Sequence, residues 1–125
     1  QLSLLYIDLD KFKQVNDTLG HGIGDLLLQE TAVRLKSCVR ESDTVARVGG
    51  DEFVILIQGT LLPQFSALVA EKIADAFNAP FILDGHRLTI MPSIGIALYP
   101  QHGSDERQLV EYADKAMYLA KNGKR

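Results

Sequence analysis

What this sequence lacks narrows the field first. It has a single cysteine, Cys38, which excludes an internal disulfide and suits a reducing cytoplasm. No stretch approaches the roughly eighteen unbroken apolar residues of a membrane span, and residues 1–9 do not form a signal peptide. There is no basic excess: the net charge is −3, which argues against a general nucleic-acid binder, since phosphate-backbone binding normally needs a basic surface. A mononucleotide stays open, because one triphosphate needs only a few placed cations and a metal. Internal repeats and low-complexity segments are also missing. At 125 residues, there is room for one domain and not for two.

What is present is ordinary globular material, 46% hydrophobic and 23% charged. Leu2–Leu9 is short, apolar and ended by charge, which predicts a buried strand. A short helix is expected within residues 11–19, with Gly20, Gly22 and Gly24 as breakers. Asp25 then opens a second helix with the stripe Leu28, Ala32, Leu35 and Val39. Residues 44–48 and 52–57 read as strands joined through Gly49-Gly50, a tight hairpin. Pro63 starts a third helix, with Phe65, Leu68, Val69, Ile73, Ala76 and Phe77 on one face, and Pro80 stops it. Phe81–Leu83, the Asp84-Gly85 turn and residues 87–98 predict a second hairpin. Pro92, inside that run, requires an edge, a bulge or a break. Ser104 caps the last helix, whose buried face is Leu109, Ala113, Ala116, Met117 and Ala120. The order predicts an α+β fold, a mostly antiparallel sheet carrying helices. Because the chain opens inside an apolar run, we expect a cut within a longer protein at Gln1.

Two constellations carry chemistry. In Tyr6-Ile7-Asp8-Leu9-Asp10-Lys11-Phe12-Lys13, two acids end an apolar strand, at a rim where a carboxylate stays hydrated enough to bind a hard cation. Magnesium takes one or two carboxylates plus phosphate oxygens; simple strand termination by solvated charge is the alternative. In Arg47-Val48-Gly49-Gly50-Asp51-Glu52-Phe53, a glycine turn presents two acids, which beside a strand-end acid can share a metal. Alone it would be a mere turn.

Gly49-Gly50-Asp51-Glu52-Phe53 resembles the signature of the GGDEF family, the catalytic domain of diguanylate cyclases. The stretch from Asp8 to His21, Ser93-Ile94-Gly95-Ile96-Ala97 and Ala113-Asp114-Lys115-Ala116-Met117-Tyr118-Leu119-Ala120-Lys121 are similar to that family in the same order. The resemblance spans essentially the whole chain and lacks the family's opening helix. It implies a fold like the palm of nucleotidyl cyclases and polymerases, with a ferredoxin-like core. The implied activity condenses two GTP into cyclic di-GMP and two pyrophosphates, with a homodimer completing the site. The parent protein would carry an upstream sensory or dimerising domain, with the domain itself cytoplasmic.

By the same resemblance, Asp8, Asp51 and the Leu9 carbonyl would bind two magnesium ions (manganese being the substitute). Asp51 or Glu52 would accept the proton, and Lys13 would stabilise the transition state, alongside backbone N–H groups near Lys11 and Phe12. Lys121 and Arg125 would contact phosphate, although Gly123 stands one place early against the family pattern. Asn16 and Asp25, with His21 nearby, would select the base: guanine offers N1–H and N2–H₂, which a carboxylate accepts and an amide completes. Asp25 could also cap its helix, and His21 could be a turn residue. Arg40, Asp43 and Lys72 match the family's product-inhibition site, the bland alternative being a helix-end ion pair. At about 3.3 Å per residue, the run 44–48 spans roughly 17 Å, so Arg40 and Asp43 are expected on the surface and far from Asp8. A non-catalytic GTP- or cyclic-di-GMP-binding module, or a dimerisation module, remains the rival reading.

Overall fold

Eight apolar-rich residues, Leu2–Leu9, form the central strand β1. Its alternation sends Leu5, Ile7 and Leu9 to one face and Leu4 to the other. The computed structural model describes residues 2–59 and 63–123. After β1 come helices α1 (Phe12–Leu19) and α2 (His21–Ser37), then strands β2 (Thr44–Gly49) and β3 (Glu52–Gln58). Helix α3 (Pro63–Ala76), strands β4 (Phe81–Leu83), β5 (His86–Leu88) and β6 (Pro92–Tyr99), and helix α4 (Glu106–Gly123) complete the order. The main sheet runs β2-β3-β1-β6 with every pairing antiparallel, and β4-β5 is a separate ribbon. The expected α+β class is observed.

The core is split by the sheet. On one face Leu5, Ile7, Leu9, Phe53, Ile55 and Ile57 meet Leu27 and Leu35 of α2 and Ile73 of α3, all essentially inaccessible to solvent. The other face carries a smaller cluster of Leu4, Val54, Ala97, Leu109 and Ala113 under α4. Here Gly95 is essential to the packing. A Cβ built on it would collide with the Ala113 carbonyl and the Met117 amide, so β6 and α4 touch backbone to backbone.

Five details differ from expectation. Helix α2 begins at His21 rather than Asp25, with Gly22 and Gly24 inside it. The break is made by Gly20 alone, at φ 94, which ends α1 and starts α2. Gly24 survives within the helix because a Cβ there would run into the Asn16 side chain; tight α1–α2 packing outweighs glycine's poor propensity. Val39 accordingly lies beyond the helix. The run 87–98 is divided: β5 ends at Leu88, and Pro92 opens β6 at the sheet's edge, opposite Leu9. Proline has no N–H to donate, so it fits the first residue of an edge strand. Leu68 is exposed rather than core, and the last helix is capped by Asp105, whose Oδ1 accepts from the Gln108 amide at 2.9 Å.

Candidate active site

Five segments meet at one end of the sheet: the end of β1, the β2–β3 turn, the start of β6, the start of α1 and the end of α4. The β1 strand places Asp8 directly across from Glu52 on one side and Ser93 on the other. The turn then brings Asp51 beside Asp8, and the Leu9 amide donates to the Asp51 carbonyl at 3.3 Å. Gly50 makes the turn possible, with φ 43 in the region that glycine tolerates best. The Arg47 guanidinium donates to the Gly50 carbonyl at 2.8 Å and braces the turn from outside. After Asp10 the chain swings into α1 through Lys11, whose φ of 63 is uncommon for a residue with a side chain.

Acids therefore crowd a small volume. Asp8 is buried; its Oδ2 accepts from Lys121 Nζ at 2.7 Å. Its Oδ1 is buried with no hydrogen-bond partner among the described residues. Burial, followed by the Asp8 carboxyl, pushes Asp51 up to about 6. The bond to Asp8 holds Lys121 above its ordinary value. Glu52 Oε1 accepts from the Tyr6 hydroxyl at 2.9 Å, and Asp10 Oδ1 accepts from Ser93 Oγ at 2.7 Å. A buried, unpartnered carboxylate oxygen beside a second, destabilised carboxylate fits a hard cation. Among the described residues no group of three or more His, Cys, Asp or Glu side chains is placed to hold a metal ion; magnesium, which takes one or two carboxylates plus phosphate and water, does not require one.

The nucleotide-facing candidates lie around the α1–α2 junction. Lys13 is exposed on the first turn of α1. Asn16 packs its amide against Gly24, and His21 and Asp25 lie four apart, exposed, on one side of α2. Arg125 lies outside the described residues. Sequence reasoning missed Tyr6, Ser93 and Arg47. Tyr6 lies two places before Asp8 in β1 and so shares that residue's face, but its bond to Glu52 depends on the strand register.

At the other end of the sheet, Arg40 Nη2 bonds Asp43 Oδ1 at 3.0 Å and the Gln58 carbonyl at 2.9 Å. The Arg40 side chain is 49% exposed and that of Asp43 only 2%. Asp43 lies at the surface as a half-buried residue, but its carboxylate is covered: the guanidinium lies over it, and its Oδ2 also accepts from the Arg40 backbone amide at 2.9 Å. Arg40, Asp43 and Lys72 share a groove of about 270 Å³ with Phe65 and the exposed Leu68. Gln58 pairs with Leu2, six places along β1 from Asp8, or about 20 Å.

An antiparallel sheet backed by helices, with carboxylates gathered at one strand end and a turn, is a palm-like α+β arrangement. The family model "Diguanylate cyclase, GGDEF domain" matches residues 1–125. The chain belongs to the GGDEF family of diguanylate cyclases. It is 48% identical over 122 residues to the bifunctional diguanylate cyclase/cyclic di-GMP phosphodiesterase MucR of Pseudomonas aeruginosa, covering 98% of this chain and 18% of MucR. To the diguanylate cyclase TpbB of the same organism it is 44% identical, covering 97% of this chain and 28% of TpbB. The crystal structure of the TpbB GGDEF domain superposes with a TM-score of 0.95 at 43% identity, covering 98% of this chain and 76% of that one. The chain thus spans less than a third of the length of these two relatives. Among the described residues no helix is long and apolar enough to cross a membrane.

Proposed function

We propose that two copies of this domain, each holding one GTP, condense them into cyclic di-GMP. Each 3′-hydroxyl attacks the α-phosphate held by the opposite copy. Two phosphodiester bonds form, two phosphoanhydride bonds break, and two pyrophosphates and two protons leave. The observation that carries this reading is the buried Asp8 carboxylate beside Asp51 at the sheet end, one of its oxygens unpartnered among the described residues. Magnesium, held by Asp8, Asp51 and the Leu9 carbonyl, would supply charge neutralisation at the phosphates and a more acidic 3′-hydroxyl.

The protein's own groups divide the remaining work. Asp51 or Glu52, the two acids of the turn, would receive the hydroxyl proton. Lys13, Lys121 and Arg125 oppose the charge that grows on the phosphates. Asn16 and Asp25, with His21 at the same junction, read guanine's donor edge; adenine would leave the Asp25 carboxylate unpaired. The Arg40, Asp43 and Lys72 groove takes the product: arginine against a guanine face or edge, aspartate against its donors. The domain is one head of a longer signalling protein whose other parts set how two heads meet.

A second reading is a GTP- or cyclic-di-GMP-binding module that regulates an attached domain. It is favoured by a relative named only as a cyclic di-GMP phosphodiesterase, PdeR of Escherichia coli, which is 40% identical over 125 residues. Incubating the dimerised protein with GTP and magnesium, and identifying products, separates the two. We expect cyclic di-GMP and pyrophosphate, and neither from Asp51→Ala. GTP bound without turnover would favour the regulatory module instead.

A further inference from the structure

We propose that Tyr6 is a positioning residue for Glu52: its hydroxyl fixes that carboxylate beside Asp8 and Asp51. Tyr6 stands across from Val54 and Asp8 across from Glu52, so Tyr6 and Glu52 are diagonal neighbours on one face of the sheet. The 2.9 Å bond runs from the phenol to Glu52 Oε1, one of that carboxylate's two oxygens.

Glu52 needs such a tether. It lies directly opposite Asp8, where like charges repel, and Lys121 bonds Asp8 rather than Glu52. A glutamate side chain has several free rotors, and holding it at the site costs rotamer entropy. A phenol is a suitable clamp because it donates and does not compete for the acids' charge. Packing alone does not require the hydroxyl. The ring continues the Leu2 and Leu4 stripe on the α4 face, against the cluster of Leu4, Val54 and Leu109, and phenylalanine would fill the same place.

This inference rests on the reading of the acid cluster as catalytic, and its test is chosen to be separable from that reading. In the dimerised protein, Tyr6→Phe should lower kcat about tenfold, the usual weight of a hydrogen bond to a charged group, with KM for GTP nearly unchanged. Mn²⁺ affinity of the nucleotide-free protein, read by electron paramagnetic resonance, should fall several-fold. Tyr6→Leu, which also lacks the hydroxyl, should reproduce both changes. On a Glu52→Ala background Tyr6→Phe should change Mn²⁺ affinity no further. Wild-type kcat and Mn²⁺ affinity in Tyr6→Phe, or an equal loss with Glu52 already removed, would overturn the assignment. Because Mn²⁺ binding is measured without turnover, a protein that makes no cyclic di-GMP would sink the cyclase reading and leave this test standing.

Discussion

Asp51 is held uncomfortably when it ionises in the absence of a metal. Its folded value of about 6 stands above the ordinary 3.8, through burial first and Asp8 second. Folding therefore favours the protonated acid. That contribution is complete below about pH 4 and is lost as pH rises through about 6. In metal-free protein, Asp51→Asn should accordingly melt higher than wild type at pH 8 and match it near pH 4. Discounting for the solvent that reaches this half-buried group, the gain at pH 8 is about 1 kcal/mol. Equal melting shifts at both pH values would mean that the acid is not strained. Asp8 and Asp51 could be singled out in the sequence because strand-end and turn acids are visible as punctuation. The Tyr6–Glu52 bond could not, since a tyrosine in an apolar strand reads as packing until the register is known.

Between β6 and α4 the fit is set by a missing methyl group. Gly95→Ala should cost at least about 1–3 kcal/mol, because the added carbon meets backbone atoms of α4 that no rotamer change can move. Chemical denaturation of the variant measures this, and a loss below about 0.5 kcal/mol would mean that α4 shifts freely on the sheet. Its last turn carries Lys121 to Asp8, so a displaced α4 should also weaken the site. Element order and most strand limits were readable from periodicity and turn residues. The start of α2 was not: Gly22 and Gly24 look like breakers, and only the Asn16 contact explains why a helix tolerates them. The cap of α4 failed differently, since Ser104 and Asp105 are both competent and geometry chose the second.

At the scale of the molecule, β1 joins two sites. The Arg40 groove sits at the Leu2 end and the acids at the Asp8 end, about 20 Å apart along one strand. A ligand in that groove cannot overlap the acids, so inhibition there would act on how two heads meet. Arg40→Ala should relieve inhibition by added cyclic di-GMP at least tenfold while leaving the initial rate near wild type. Unchanged inhibition would remove the groove from consideration. The position of Arg40 was readable from spacing, whereas the covering of the Asp43 carboxylate was not, because it depends on the Gln58 carbonyl arriving from β3 to hold the guanidinium over it. The contact between Lys121 and Asp8 joins residues 113 positions apart and has a further consequence. Any cation bound at Asp8 Oδ2 must first evict an ammonium group. A dication that took this oxygen as well as the unpartnered Oδ1 would enter by ion exchange, adding one net charge locally instead of two, and the evicted lysine would become available to phosphate. Lys121→Gln should consequently bind Mn²⁺ more tightly than wild type when nucleotide is absent, and GTP more weakly. Weaker Mn²⁺ binding by that variant would show that the lysine helps the metal in, and that the resting site is not a closed ion pair awaiting its replacement.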